Sequence, residues 1–257
     1  ATISYTLSGI GSDKFSVSSD GTVTLSSSLD YESTTSYNLT LTASDGTNST
    51  NSSFTVSVTN VNEAPTLSST IVASSFSEST TVGTTIANYS SSDPESSSIT
   101  YSLSGADSGM FNIASDGTLT LASTLDYETK DTYNVVINVS DGDNTVSQGL
   151  IISATNVNEA LSLSSTLVSN SFAETSVVGT TIATSSATDP ENATISYTLS
   201  GTGSDKFSVS SDGTVTLSSG LDYESTTSYS LTLTASDGTY SATSSISFSV
   251  TDISELA

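Results

Sequence analysis

The 257 residues contain no cysteine, histidine, tryptophan or arginine, and only three prolines and one methionine. Without cysteine there is no disulfide framework and no thiol chemistry. Without histidine or cysteine the preferred ligands of zinc and copper are missing, and a serine nucleophile has no imidazole base. The only cations are Lys14, Lys130 and Lys206, set against 27 acidic residues, so the formal net charge is −24. That sign excludes nucleic acid and anionic membrane surfaces as partners, because both need a basic face. No apolar run approaches the roughly 20 residues of a membrane-spanning helix.

Serine and threonine make up roughly two-fifths of the chain. The bias alone would suggest disorder, but the text is strongly repetitive. Residues 1–47 and 193–239 differ only at Ile10/Thr202, Ser28/Gly220 and Asn38/Ser230. A more divergent copy lies between them, in phase at half that spacing. Leu29-Asp30-Tyr31-Glu32 returns as Leu125–Glu128 and as Leu221–Glu224. Repeat ends fall at Asn60-Val-Asn-Glu-Ala-Pro65, at Asn156-Val-Asn-Glu-Ala160 and, more faintly, at Thr251-Asp-Ile-Ser-Glu255. The phase predicts a partial module over 1–64, a complete one over 65–160 and another over 161–257. Roughly 32 residues that open the later modules have no counterpart in the first, and the expectation is a piece of a longer array.

Within a repeat the apolar residues alternate with Ser and Thr, as in Ile3–Leu7, Phe15–Val17, Val23–Leu25, Tyr37–Leu41 and Phe54–Val58. A period of two marks strands with one face buried and one wet. Asp20-Gly21, Asp116-Gly117 and Asp212-Gly213 carry hairpin-turn chemistry, and no segment shows a 3.6-residue apolar stripe. About seven short strands per repeat predict an all-β chain of tandem immunoglobulin-like β-sandwiches, arranged end to end.

All ten glutamates fall at repeat-phased positions. A merely solvated acidic surface would not confine them, since any exposed strand position would serve. Clustered carboxylates without imidazole or thiolate suit a hard cation. Calcium takes six to eight oxygens in irregular geometry, whereas magnesium is stricter and sheds water reluctantly. The spacing is not that of an EF-hand. The ligands come from distant parts of successive modules, which places the ions at the joints.

Four motifs in register, Phe-x-Val/Ile-x-x-Asp-Gly-Thr, LDYE, Ala-Ser-Asp-Gly and NVNEAP, resemble those of tandem cadherin repeats, in the simplified form of large bacterial surface proteins. The resemblance implies Ca2+ between modules. Carried over by motif, the first junction takes Asp30, Glu32, Asn62 and Glu63 from below and Asp93, Glu95 and Asp141 from above. The second takes Glu78, Asp126, Glu128, Asn158 and Glu159, with Asp189, Glu191 and Asp237. Half-sites remain at Asp45 on one side and at Glu174, Asp222, Glu224 and Glu255 on the other. Tyr31 stands where the family has Arg, Glu95 and Glu191 where it has a second Asp, and Ser254 where it has the linker Asn.

The function this implies is a calcium-rigidified extracellular extender, a structural rod of a surface adhesin or filament. Its partners are neighbouring modules of the same longer chain, other copies in a filament, or cell-surface ligands. The alternative is an adhesive binding module, homophilic or carbohydrate-directed. An enzyme is not expected, because the paired carboxylates a glycosidase would need are claimed by the joints.

Overall fold

The computed structural model describes residues 2–254, so Glu255 lies outside the described residues. The chain is all-β, and its only helical segments among those residues are three single 3₁₀ turns. It divides into two compact units. One comprises residues 1–76, 80–124 and 132–153, and the other comprises 77–79, 125–131 and 154–257.

The first repeat supplies β1 (Ser4–Ser8), β2 (Phe15–Val17), β3 (Val23–Leu25), β4 (Ser36–Ser44) and β5 (Ser49–Ser57). The second supplies β6 (Thr66–Ile71), β7 (Ser75–Ser77), β8 (Thr85–Ser92), β9 (Thr100–Ser104), β10 (Phe111–Ile113), β11 (Thr118–Leu121), β12 (Thr132–Ser140) and β13 (Thr145–Thr155). The third supplies β14 (Ser162–Leu167), β15 (Ser171–Ala173), β16 (Thr181–Thr188), β17 (Ser196–Thr202), β18 (Phe207–Val209), β19 (Val215–Leu217), β20 (Ser228–Ser236) and β21 (Ser241–Thr251).

The second and third repeats each form two four-stranded sheets, in the orders β10-β11-β8-β6 with β7-β13-β12-β9, and β18-β19-β16-β14 with β17-β20-β21-β15. The expected count of seven becomes eight because a short strand, β15, runs parallel to the end of β21, with Ser171 opposite Ser249. Nothing in an alternating pattern distinguishes that parallel edge from a loop.

The alternation sorts side chains as expected. On β20, Tyr229, Leu231, Leu233 and Ala235 are buried, while the Ser and Thr between them face outward. The core of the third repeat gathers Phe172, Ile182, Phe207, Leu217, Tyr229, Ile246 and Phe248, with Phe207 edge-on to Tyr229 at 5.1 Å between ring centroids. Aromatic edge contacts add to area burial, which suits a core supplied by alternate positions only.

Each Asp-Gly pair closes a hairpin, as in Phe111–Ile113 against Thr118–Leu121. Gly117 has φ +85, and a Cβ there would lie 2.2 Å from the Tyr89 carbonyl oxygen. The turn therefore tolerates only glycine. Gly203, at φ +78, opens the 3₁₀ turn Ser204–Lys206, and the ring of Tyr229 lies over the space its Cβ would fill.

The first repeat differs. Its β2–β3 hairpin forms a two-stranded sheet, because the sequence holds no counterpart there of β6 and β8. Leu25 is 55% exposed, whereas its equivalents Leu121 and Leu217 are each 1% exposed. Leu121→Ala and Leu217→Ala are therefore expected to cost about 2–5 kcal/mol each in urea unfolding. Leu25→Ala should cost under about 1 kcal/mol, since little of its surface leaves water on folding. Equal losses at the three positions would contradict this packing.

Candidate metal centres

Each acidic cluster is positioned by turns rather than by strands. The LDYE segments follow the β3-type strand, and their aspartates fold back on the next turn. Asp30 accepts hydrogen bonds from the Ser33 N–H at 3.1 Å and the Ser33 hydroxyl at 2.9 Å. Asp126 accepts one from the Thr129 N–H at 2.7 Å, and Asp222 from Ser225 in the same way as Asp30. Such Asx-type turns leave the glutamate two residues on free to project.

In the first unit Glu32, Glu63 and Glu95 each bring a carboxylate oxygen within 4.8 Å of the other two. The Glu63 N–H donates to Glu95 at 3.3 Å, and the Asn62 amide donates to Asp141 at 2.9 Å. Asp141 is itself fixed by the Asp143 and Asn144 N–H groups at 2.8 and 2.6 Å. Asp93 lies two residues before Glu95 and accepts the Ser97 N–H at 2.9 Å. Its second oxygen, and the second oxygen of Glu95, are buried with no hydrogen-bond donor.

The second unit repeats this arrangement and adds a residue. Glu78, Glu128 and Glu159 converge within the same 4.8 Å. Glu78 is buried, and its two oxygens accept the peptide N–H groups of Tyr127 and Val157. Asn156 donates to Glu128 at 2.9 Å, Asn158 to Asp237 at 3.0 Å, and the Glu159 N–H to Glu191 at 3.0 Å. Buried oxygens of Glu159, Asp189 and Glu191 lack any donor. A buried carboxylate oxygen normally finds a partner, so five orphaned oxygens across two clusters are what a cation ligand set requires.

The third group, Glu174, Asp222 and Glu224, also converges. It lines a hollow of about 470 Å³ together with Thr175 and Leu221. Glu174 is held ionised chiefly by the Ile253 N–H and then by that of Tyr223. Asp45 occupies a turn equivalent to those of Asp141 and Asp237, and accepts the Thr47 and Asn48 N–H groups at 2.8 and 2.7 Å.

Charge crowding is visible in the titration of these groups. Glu63 is pushed up to about 7 because it shares a proton with Glu95, with burial and the charges of Glu95, Glu32 and Asp30 adding to the effect. Glu159 is likewise pushed up to about 7 by Glu191. Glu95 and Glu191, as the accepting partners, are lowered. Burial raises Glu128. Asp141 is lowered, first by the Asn144 N–H, and Asp237, first by the Asn158 amide.

Several participants lay beyond sequence reasoning. The peptide donors of Tyr127 and Val157 have no side-chain signature. Asn156 stands where the resemblance assigns no direct ligand, yet it orients Glu128. Asn144 donates to the Asn62 carbonyl at 3.3 Å, and its only signal is its place three residues after Asp141.

Tandem β-sandwiches whose turns gather carboxylates from successive repeats define a class of modular repeat protein. A profile of the cadherin domain matches residues 1–61, 73–153 and 169–251, and the chain belongs to the cadherin family. It is 34% identical over 158 residues to Protocadherin Fat 4 of Mus musculus, covering 56% of this chain and 3% of that protein. It is 36% identical over 148 residues to Cadherin EGF LAG seven-pass G-type receptor 1 of Mus musculus, covering 54% of this chain and 5% of that protein. The chain thus spans a small fraction of these relatives. Among solved structures, the Protocadherin Gamma B2 extracellular cadherin domains 1–5 align with TM-score 0.66 at 28% identity, over 99% of this chain and 54% of that one. The Protocadherin gammaB7 EC3-6 cis-dimer structure aligns with TM-score 0.64 at 26% identity, over 97% of this chain and 66% of that one.

Because Glu63 and Glu159 hold a proton more tightly folded than unfolded, their stabilising contribution is full below the ordinary carboxylate range. It is lost as pH rises through about 7. In chelator, the melting temperature is therefore expected to fall between about pH 5 and 8. The aspartates with lowered values act only at more acidic pH. The paired substitution Glu63→Gln and Glu159→Gln should flatten the slope, and a melting temperature rising over that range in chelator would contradict the assignment.

Proposed function

We propose that the two complete acidic clusters hold Ca2+ and that the chain works as a calcium-stiffened extracellular extender of a surface adhesin or filament. The observation that carries this reading is the set of buried carboxylate oxygens without donors on Asp93, Glu95, Glu159, Asp189 and Glu191. The donor set is oxygen only, which favours a hard cation and, given its irregular spacing, calcium over magnesium. Asp30, Glu32, Asn62, Glu63, Asp93, Glu95 and Asp141 are the proposed ligands of the first site. Glu78, Asp126, Glu128, Asn158, Glu159, Asp189, Glu191 and Asp237 are those of the second. Asp45 and the group Glu174, Asp222, Glu224 and Glu255 are proposed half-sites shared with further modules.

The module limits proposed are 1–64, 65–160 and 161–257. They are supported by strand pairing that, among the described residues, stays within each range. Bound calcium supplies positive charge where the clusters have none. The protein's own part is to aim the carboxylates: the Asx turns fix the LDYE arms, the Tyr127 and Val157 N–H groups hold Glu78, and the linker asparagines tie Asp141 and Asp237 to the preceding repeat. Without a cation, several carboxylates within a few ångströms repel one another, so the linkers flex. With one, the two repeats that supply ligands are held as a unit. Neighbouring modules of the same longer chain, other copies or cell-surface ligands are the proposed partners, and the relatives' extracellular setting supports that location. The near-identity of residues 1–47 and 193–239 supports the simplified bacterial surface-protein form, while the matched relatives named above are animal proteins.

Calcium at a hundred times its dissociation constant is expected to stabilise each site by about 2.7 kcal/mol through linkage. Chelation should lower the melting temperature and shorten the maximum dimension in small-angle scattering. Glu95→Gln with Glu191→Gln should remove most of both responses. Melting curves and scattering profiles indifferent to calcium would overturn the proposal.

A further inference from the structure

The three lysines of the chain fall at one place in the repeat. Lys14 and Lys206 are equivalent and close matching 3₁₀ turns, Ser12–Lys14 and Ser204–Lys206. Lys130 occupies the second repeat's equivalent of Thr34. In the first repeat Lys14 and Thr34 line one hollow of about 360 Å³, together with Ile10, Ser36, Tyr37 and Asn38.

Residues 1–47 and 193–239 differ at only three positions, and all three bear on this site. Ile10 stands for Thr202 and Asn38 for Ser230, and both line the hollow. Ser28 stands for Gly220, whose carbonyl oxygen accepts the Lys206 amine at 3.1 Å. Among the described residues no acceptor takes the Lys14 amine. Substitutions scattered over so long an identical stretch would not converge on one hollow without a cause. The amine that ties down a turn in the third repeat is released in the first.

The lining groups state what fits. An amine without an acid calls for a carboxylate, because charge-assisted hydrogen bonds are the strong ones. Asn38 Oδ1 accepts the Thr55 hydroxyl at 2.7 Å, which leaves the amide N–H groups to donate. Thr34 and Ser36 add hydroxyls that can donate or accept. Ile10 is 94% exposed where the third repeat has threonine. A lone exposed apolar side chain is ordinary, but this one borders the hollow and gives it an apolar wall. A carboxylate, several hydroxyls and one apolar ring face occur together in a uronic-acid sugar. The hollow lies at the small end of the roughly 300–1,000 Å³ of ligand pockets, which suits a sugar ring and part of its neighbour.

We propose that this hollow binds an acidic sugar, a uronate residue of a glycan. Its carboxylate sits on Lys14, its hydroxyls on Thr34, Ser36 and Asn38, and a ring face on Ile10. Asp13 is next to Lys14 in sequence but is not among the lining residues. The net charge of −24 opposes an anion at long range, so the contact is local and the affinity modest. The site belongs to the first repeat alone, because the second has Met110 at the Lys14 position and the third has Lys206 engaged. It goes beyond the cation reading and does not depend on it.

The test is a ligand-observed NMR titration of the full 257-residue chain with methyl glucuronide, and with methyl glucoside as its neutral counterpart. Chelator is present throughout, so that the uronate cannot reach the protein through bound calcium. The glucuronide is expected to bind with a dissociation constant on the order of 1 mM. The glucoside should bind at least about tenfold more weakly, because it lacks the charge-assisted bond. Lys14→Gln is expected to weaken glucuronide binding by the same factor. Ile10→Thr with Asn38→Ser, which restores the residues of the third repeat, should do so too, while Lys206→Gln should leave binding unchanged. Unchanged melting curves separate these losses from misfolding, and calcium binding read by calorimetry reports on the cation sites alone. No detectable glucuronide binding, equal binding of the two sugars, or a Lys14→Gln chain that binds as the wild type does overturns the proposal.

Discussion

Repulsion between carboxylates that the fold forces together is the constraint on which the rest of the structure turns. Glu32, Glu63 and Glu95 sit within 4.8 Å of one another, as do Glu78, Glu128 and Glu159, in a chain with three lysines for 27 acids. Internal donors relieve part of this. Peptide N–H groups hold Glu78 and Glu174, and amides hold Asp141 and Asp237. What they leave is a glutamate in each complete cluster pushed up to about 7 by its carboxylate neighbour, and five buried carboxylate oxygens that no amide or hydroxyl reaches. An arrangement that settles for protonation near pH 7 is one that a divalent cation competes for directly.

The sandwiches serve this arrangement by being plain. Their cores need only alternate positions, filled by Leu, Ile, Val, Phe and Tyr, and their outer faces need only polar groups that pair across strands. Ser68 with Ser90, Ser162 with Thr188 and Ser208 with Thr216 all pair within 3.0 Å. Short hydroxyl side chains lose little conformational entropy on ordering, so a sheet can be built from them without charge. The acids are thereby reserved for the turns.

Much of this was legible because the repeat sets its own register. LDYE, the linker asparagines and the phased glutamates located the clusters, and the period of two located the strands. Less legible was anything that depends on backbone donors. The aspartates of LDYE look equivalent to their glutamates in the sequence, yet each oxygen of Asp30 also accepts a hydrogen bond from Ser33, while Glu32 projects into the cluster with Glu63 and Glu95. The parallel pairing of Ser171–Ala173, the 3₁₀ turns and the exposure of Leu25 all follow from tertiary neighbours that alternation does not encode. Glu255, expected in the third group, lies outside the described residues.

The most direct test of the central claim is a diffraction map of the calcium-bound chain collected where calcium scatters anomalously. The account predicts an anomalous peak among Glu32, Glu63 and Glu95 and another among Glu78, Glu128 and Glu159, each at about 2.3–2.6 Å from carboxylate oxygens. Crystals grown in millimolar calcium with no peak at either cluster would contradict it.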